Sequence, residues 1–209
     1  MLENIKKQIL KIAEAAERDG LIRHGSGNFS MMDEKTGYIC ITPTGQDRND
    51  NSVDSILVID IDGNIIENKN NLKPTSEALM HLAAYKSRDD VKAVCHTHAV
   101  YSTVFAVQNK EILPVVFESL MFGGIVPVAK YGTPGTTDLA NSIIEPLKKS
   151  DACLLEKHGV LTVGNTIEDA YIKMQYVEDM AKIYLYSLLL SGGKLDTIPQ
   201  SEFDKVINR

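Results

Sequence analysis

The sequence predicts an α/β fold: a central, mostly antiparallel sheet flanked by helices. Three observations carry this. Segments with helical apolar spacing alternate along the chain with short apolar runs of strand length. Glycine turns such as Asp62-Gly63 and Gly123-Gly124 adjoin those runs and read as hairpin signals. The chain has 209 residues with ordinary charged and apolar fractions (24% and 44%), which suits one domain, residues 1–209, with a full core.

The elements follow in order. Leu2, Ile5, Ile9, Ile12, Ala13 and Ala16 recur at helical spacing, and Asp19-Gly20 ends that helix. His24 to Ser30 reads as a glycine-rich loop, either a plain turn or a cradle for an anion, with Gly27 and Asn28 at its centre. Tyr38–Ile41 is a strand running into the turn Thr42-Pro43-Thr44-Gly45. Residues 56–61 form the next strand, and a hairpin leads to Asn64–Ile66. Lys73 to Glu77 opens a helix with Thr75 or Ser76 as its N-cap, and such an N-terminus also suits an anion. His81 shares a helix face with Glu77, and packing is its simpler role. Val100–Val107 is helical, Leu113–Phe117 a strand, and Ile125–Val128 another. A helix covers about Thr137 to Lys149, Ala152–Glu156 and Val160–Val163 are strands, and Asn165-Thr166 caps a long helix over 167–191. The polar tail after Lys194 carries no signal.

Charge and cysteine usage narrow the function. The net charge is -6 and no basic cluster occurs, so a nucleic-acid partner is not expected. No apolar run nears the roughly 18 residues of a membrane span, and Lys6, Lys7, Lys11 and Glu14 interrupt the first apolar positions, so neither a membrane segment nor a signal peptide is expected. Cys40, Cys95 and Cys153 lie in apolar runs and read as free thiols of a cytoplasmic protein.

The densest chemistry is Val94-Cys95-His96-Thr97-His98. In a strand, residues two apart point to one face, so His96 and His98 can aim both imidazoles at one ion while Cys95 points away. A catalytic zinc has about three protein ligands and one open position, so at least one more must come from elsewhere. His158, at the mouth of a strand and followed by Gly159, can turn toward a neighbouring strand.

Five motifs then stand in one order: Gly25-Ser26-Gly27-Asn28, Thr42-Pro43-Thr44-Gly45, Pro74-Thr75-Ser76-Glu77, His96-Thr97-His98 and Lys157-His158-Gly159. In order and spacing they resemble the class II aldolase/adducin family, most closely its L-fuculose-1-phosphate aldolase branch. The resemblance covers nearly the whole chain. It implies one Zn2+ per subunit held by His96, His98 and His158, with Glu77 at or near the fourth position. It implies substrate phosphate at Gly27, Asn28, Thr44, Gly45, Thr75 and Ser76. It implies a homotetramer with active sites near subunit interfaces. The reaction it implies is cleavage of a ketose 1-phosphate, such as L-fuculose 1-phosphate, to dihydroxyacetone phosphate and lactaldehyde through an enediolate, with Glu77 moving the proton at carbon.

One departure matters. The branch carries a tyrosine before the glycine pair as an acid acting across a subunit boundary. Here the segment is Val115-Val116-Phe117-Glu118-Ser119-Leu120; Phe117 or Glu118 falls nearest, depending on a one-residue gap, and of the two Glu118 can take an acid/base role. A carboxylate there also resembles the methylthioribulose-1-phosphate dehydratases of the family. The sugar-phosphate 4-epimerases, with aspartate after paired serines, are further from this chain, which has Glu77.

Overall fold

One eight-stranded sheet organises the molecule. The computed structural model describes residues 1–45 and 52–207. The strands are β1 (Asn28–Met32), β2 (Ile39–Ile41), β3 (Leu57–Ile59), β4 (Ile65–Glu67), β5 (Ala93–Thr97), β6 (Val128–Ala129), β7 (Ala152–Leu155) and β8 (Gly159–Gly164). Their order is β4-β3-β2-β1-β5-β8-β7-β6. Among the described residues only β6 and β7 pair in parallel, and the other neighbouring pairs are antiparallel. The mostly antiparallel sheet flanked by helices is therefore borne out.

Both faces of the sheet are buried. On one face lie α1 (Glu3–Arg18), α3 (Val100–Val107) and α6 (Ile167–Leu190), packed on Phe29, Ala93, Cys95 and Val160. On the other lie α2 (Ala78–Ser87), α4 (Thr137–Ser142) and α5 (Ile144–Leu147), packed on Ile41, Leu57, Val94 and Leu161. Adjacent residues of β5 thus enter opposite cores, as strand alternation requires. Cys95 faces α6, away from the histidines, and all three cysteines are buried and free. No helix among the described residues is long and apolar enough to cross a membrane.

Several boundaries differ from the sequence reading. Residues 28–30, read as loop, begin the central strand β1. Their alternation was hidden because Asn28 and Ser30, polar and buried, face a polar network, while Phe29 enters the core. The helix expected from Thr75 begins at Ala78, and its N-cap is Glu77, not Thr75 or Ser76. Residues 113–117 are not a strand: Ile112 makes a single bridge to Val126, and a 3-10 turn follows over Phe117–Phe122. The helix expected over 137–149 is broken at Ile143 into α4 and α5. Pro146 explains the break, since its ring conflicts with the carbonyl of Ser142, four residues earlier. The polar tail forms α7 (Gln200–Ile207), buries Phe203, and ties Ile198 N–H to the Pro114 carbonyl at 2.8 Å.

One ion pair clamps α1 to the sheet edge. Lys6 is 1% exposed, and its Nζ lies 2.6 Å from Glu67 Oε1 on β4. The bond from Lys6 pulls the Glu67 carboxyl down to about 2. A depressed folded pKa means the pair stabilises above the unfolded carboxyl value near 4.5 and fades as pH falls toward 2. Glu67→Ala leaves Lys6 buried without a partner and should cost about 3 kcal/mol at pH 7 by urea denaturation. The difference from the parent should shrink between pH 5 and pH 2.

Candidate metal centre and substrate cleft

Three histidines converge at one end of the central strands. His96 is the fourth residue of β5, His98 follows the strand end, and His158 lies in the turn joining β7 to β8. The pairing of β5 with β8 sets Thr97 opposite Val160 and so brings that turn beside His96 and His98. The ring centroids stand 5.0, 4.8 and 4.9 Å apart, close to an equilateral triangle. One nitrogen from each ring lies within 4.8 Å of the others. The close approach depends on Gly159: a Cβ there would sit 2.4 Å from the Thr97 carbonyl oxygen and 3.1 Å from the His98 ring.

Glu77 closes the group from α2. Its Oε2 lies 3.0 Å from His96 Nε2, and its Oε1 lies 3.3 Å from His158 Nε2. On the other side of the His96 ring, Nδ1 donates to the Val160 carbonyl at 3.0 Å. With Nδ1 committed to that carbonyl, Nε2 and the carboxylate oxygen face each other at 3.0 Å, a contact that needs a proton or a metal cation between the two atoms. Glu77 Oε1, His96 Nε2 and His158 Nδ1 are moreover buried without hydrogen-bond partners. This donor set of three imidazoles and one carboxylate fits a divalent ion such as zinc.

The electrostatics agree with ligand chemistry. Burial raises the Glu77 carboxyl, but His96, the Asn28 amide and His158 outweigh it and hold the group below the usual carboxylate range. Burial, followed by the neighbouring His96, lowers His98 and takes His158 down to about 4. Near neutral pH these two rings are uncharged, the form that binds metal.

The predicted phosphate residues share one cleft with the metal group. Gly27, Asn28, Thr44, Gly45, Thr75 and Ser76 line a hollow of about 320 Å³ together with Glu77, His98 and His158. Backbone bonds knit its walls. Thr44 N–H donates to the Lys73 carbonyl and Thr75 N–H to the Thr42 carbonyl, each at 3.0 Å. Gly27 adopts φ +81°, and a Cβ there would sit 2.7 Å from the His96 carbonyl oxygen. The loop therefore runs against β5 only because this residue is glycine.

Glu118 is not brought to this cleft within one chain. It is exposed on the 3-10 turn and lines a separate groove with Tyr176, Asp179 and Lys182 of α6. Other residues carry weight the sequence reading did not assign. Asn28, read as a phosphate donor, gives its Nδ2 hydrogen to Glu77 Oε2 at 2.9 Å. His81 is fully buried and bonds to Asn28. Glu178 of α6 accepts from Tyr101 N–H, Ser102 N–H and the Ser102 hydroxyl at 2.8, 2.8 and 2.7 Å, holding the start of α3 just after His98. The spacing of Glu77 and His81 was the one available signal, and Glu178 had none.

A family model for the class II aldolase and adducin N-terminal domain matches residues 7–185. The chain belongs to the class II aldolase and adducin family. It is 34% identical over 185 residues to an L-fuculose phosphate aldolase of Methanocaldococcus jannaschii, covering 88% of this chain and 98% of that one. It is 28% identical over 209 residues to a 5-deoxy-D-ribulose 1-phosphate aldolase of Bacillus thuringiensis, covering 100% of this chain and 96% of that one. A solved L-fuculose 1-phosphate aldolase superposes with a TM-score of 0.90 at 31% identity, covering 96% of this chain and 93% of the other. This family member is an enzyme of the lyase class. Class II aldolases depend on a metal ion, and the three-histidine group is present here.

His96→Ala removes a ring from the centre of the group, and bound metal per chain should fall well below that of the parent in equilibrium dialysis. Gly159→Ala leaves all three histidines in the sequence, but its methyl presses on the Thr97 carbonyl and the His98 ring, and metal uptake should weaken by roughly tenfold or more.

Proposed function

We propose that this protein is a zinc-dependent aldolase that cleaves a ketose 1-phosphate, such as L-fuculose 1-phosphate, to dihydroxyacetone phosphate and lactaldehyde. The observation that carries the reading is one cleft with two ends: three histidines and a carboxylate at one, hydroxyl and glycine loops at the other. A dianion suits the second end, where Thr44, Thr75, Ser76 and backbone N–H groups offer donors. Holding the phosphate there orients the reacting carbons toward the histidines.

Zinc, when bound to His96, His98 and His158 with Glu77 at or near the fourth position, supplies a Lewis acid for the substrate's carbonyl and adjacent hydroxyl oxygens. The remaining chemistry belongs to side chains. In cleavage, the C4 hydroxyl gives up its proton, the C3–C4 bond breaks, and its electron pair passes into an enediolate. Glu77, after taking up a proton from solvent through the open cleft, delivers it to C3, and in the condensing direction it removes one and releases it to solvent. Its low pKa keeps it ionised for that removal. Glu118 is proposed to take the C4 hydroxyl proton from a neighbouring subunit of a homotetramer. Phe117 and Met121, 69% and 50% exposed beside it, give that turn an apolar rim suited to a second chain.

The sugar tail is the open choice. 5-Deoxy-D-ribulose 1-phosphate, named for the Bacillus thuringiensis relative, would yield the same three-carbon phosphate and a shorter aldehyde. A cytoplasmic setting fits a soluble sugar phosphate and three free buried thiols.

The zinc-loaded protein should exchange C3 protons of dihydroxyacetone phosphate in D2O, read by NMR, and a chelator should abolish this. Glu77→Gln should retain zinc and slow exchange by about 100-fold or more. Glu118→Gln should leave C3 exchange intact and slow only turnover with an aldehyde. No exchange with zinc fully bound would replace the aldolase reading with dehydration of a methylthioribulose 1-phosphate.

A further inference from the structure

Behind Glu77 runs an unbranched line of buried polar side chains. Tyr85 OH lies 2.7 Å from Ser30 Oγ, and Ser30 Oγ lies 2.6 Å from His81 Nδ1. His81 Nε2 lies 2.6 Å from Asn28 Oδ1, and Asn28 Nδ2 lies 2.9 Å from Glu77 Oε2. Ser30 and His81 have no exposure, and Tyr85, Glu77 and Asn28 have 5 to 6%. Ser30 and Asn28 come from β1, and His81 and Tyr85 from α2.

The line has one consistent polarity. An ionised carboxylate only accepts, so Asn28 must turn its NH2 to Glu77 and its carbonyl oxygen to His81. His81 must then carry its hydrogen on Nε2. Its Nδ1 becomes an acceptor and takes the Ser30 hydroxyl hydrogen, and Ser30 oxygen accepts from Tyr85. Every donor meets an acceptor. Burial lowers His81 to about 3, which agrees with a neutral ring. The second hydrogen of the Asn28 NH2 remains for the cleft that Asn28 lines.

We infer that His81 is a positioning residue: through its fixed tautomer it locks the Asn28 amide with both N–H bonds toward the site, and so sets where the Glu77 carboxylate stands relative to the metal ligands and the phosphate. Ser30 and Tyr85 are the remote end that selects the tautomer. Without that selection the hydrogen can move to Nδ1. Two acceptors would then face each other at 2.6 Å, and the Asn28 amide would turn its oxygen on Glu77.

Asparagine and glutamine separate the two ends of the ring. His81→Asn keeps a polar group near Ser30 and loses the donor to Asn28. His81→Gln keeps a donor near the Nε2 position. Ser30→Ala removes the partner of Nδ1 with little change in volume. The inference rests on the aldolase reading only for its kinetic arm. That arm expects kcat for C3 exchange to fall about 10- to 100-fold in His81→Asn and Ser30→Ala, more than KM moves, with substantial recovery in His81→Gln. The second arm needs no activity: zinc affinity by chelator competition and the visible spectrum of the cobalt-loaded protein should change in the first two variants and stay near the parent in His81→Gln. Melting temperatures are measured alongside. Equal behaviour of His81→Asn and His81→Gln, parent-like behaviour of Ser30→Ala, or losses that simply follow melting temperature would overturn the inference. If the parent shows no exchange, the aldolase reading alone has failed, and the metal arm still decides this one.

Discussion

The register between β5 and β8 is the constraint on which the site depends. Thr97 opposite Val160 places the His158 turn against the end of β5. A slip of one residue would turn His96 into the opposite core and bury Cys95 where the ring belongs. Both faces of the sheet are packed, so such a slip would also expel Val94 and Val163 from one core and Ala93 from the other. The arrangement of the three rings therefore inherits its precision from the hydrophobic core, and Val160, a core residue, fixes the His96 ring through its carbonyl. The β7–β8 turn, with Lys157 in the left-handed region at φ 57° and Gly159 pressed on Thr97, is the local strain that the register sustains.

Charge placement is the second constraint. Glu77 is a buried carboxylate near the N-terminal end of α2, against the imidazoles of His96 and His158 and the amide of Asn28. Alone in an apolar core it would protonate. Here its neighbours keep it ionised. The same surroundings leave Glu77 Oε1, His96 Nε2 and His158 Nδ1 without hydrogen-bond partners. A folded protein seldom tolerates such atoms unless a ligand completes them. The site is thus internally consistent as a cation-binding centre and costly as a metal-free one. The proposed reaction would use both features, the cation site as a Lewis acid and the ionised carboxylate as a base.

The cleft extends the logic to the substrate. Its walls are strand ends and turns held by backbone bonds, not long side chains, so the anion-facing groups lose little conformational freedom on binding. Asn28 stands between the two ends, bonded to Glu77 and lining the hollow. In the proposed reaction it would couple the phosphate region to the region of proton transfer.

Much was legible in the chain itself. His96 and His98 share a strand face by alternation, helical spacing marked α1, α3 and α6, and small-residue turns marked the cleft. These are local properties, and a linear pattern encodes them. The contribution of Asn28 and Ser30 to a central strand was not legible, because a polar residue on a buried face looks like a loop until its partner is known. The packing of the tail onto Pro114 was hidden for a related reason, because it is a contact far along the chain, whereas the break at Ile143 has a local cause in Pro146. Asn28 reaches Glu77 across 49 residues and His81 across 53, and His158 joins the other two rings only through the pairing of β5 with β8. The sequence alone determined which residues could do the chemistry. Only the tertiary structure decided which of them stand together and which, like Glu118, are left for another surface, because distance in space is set by packing and not by order along the chain.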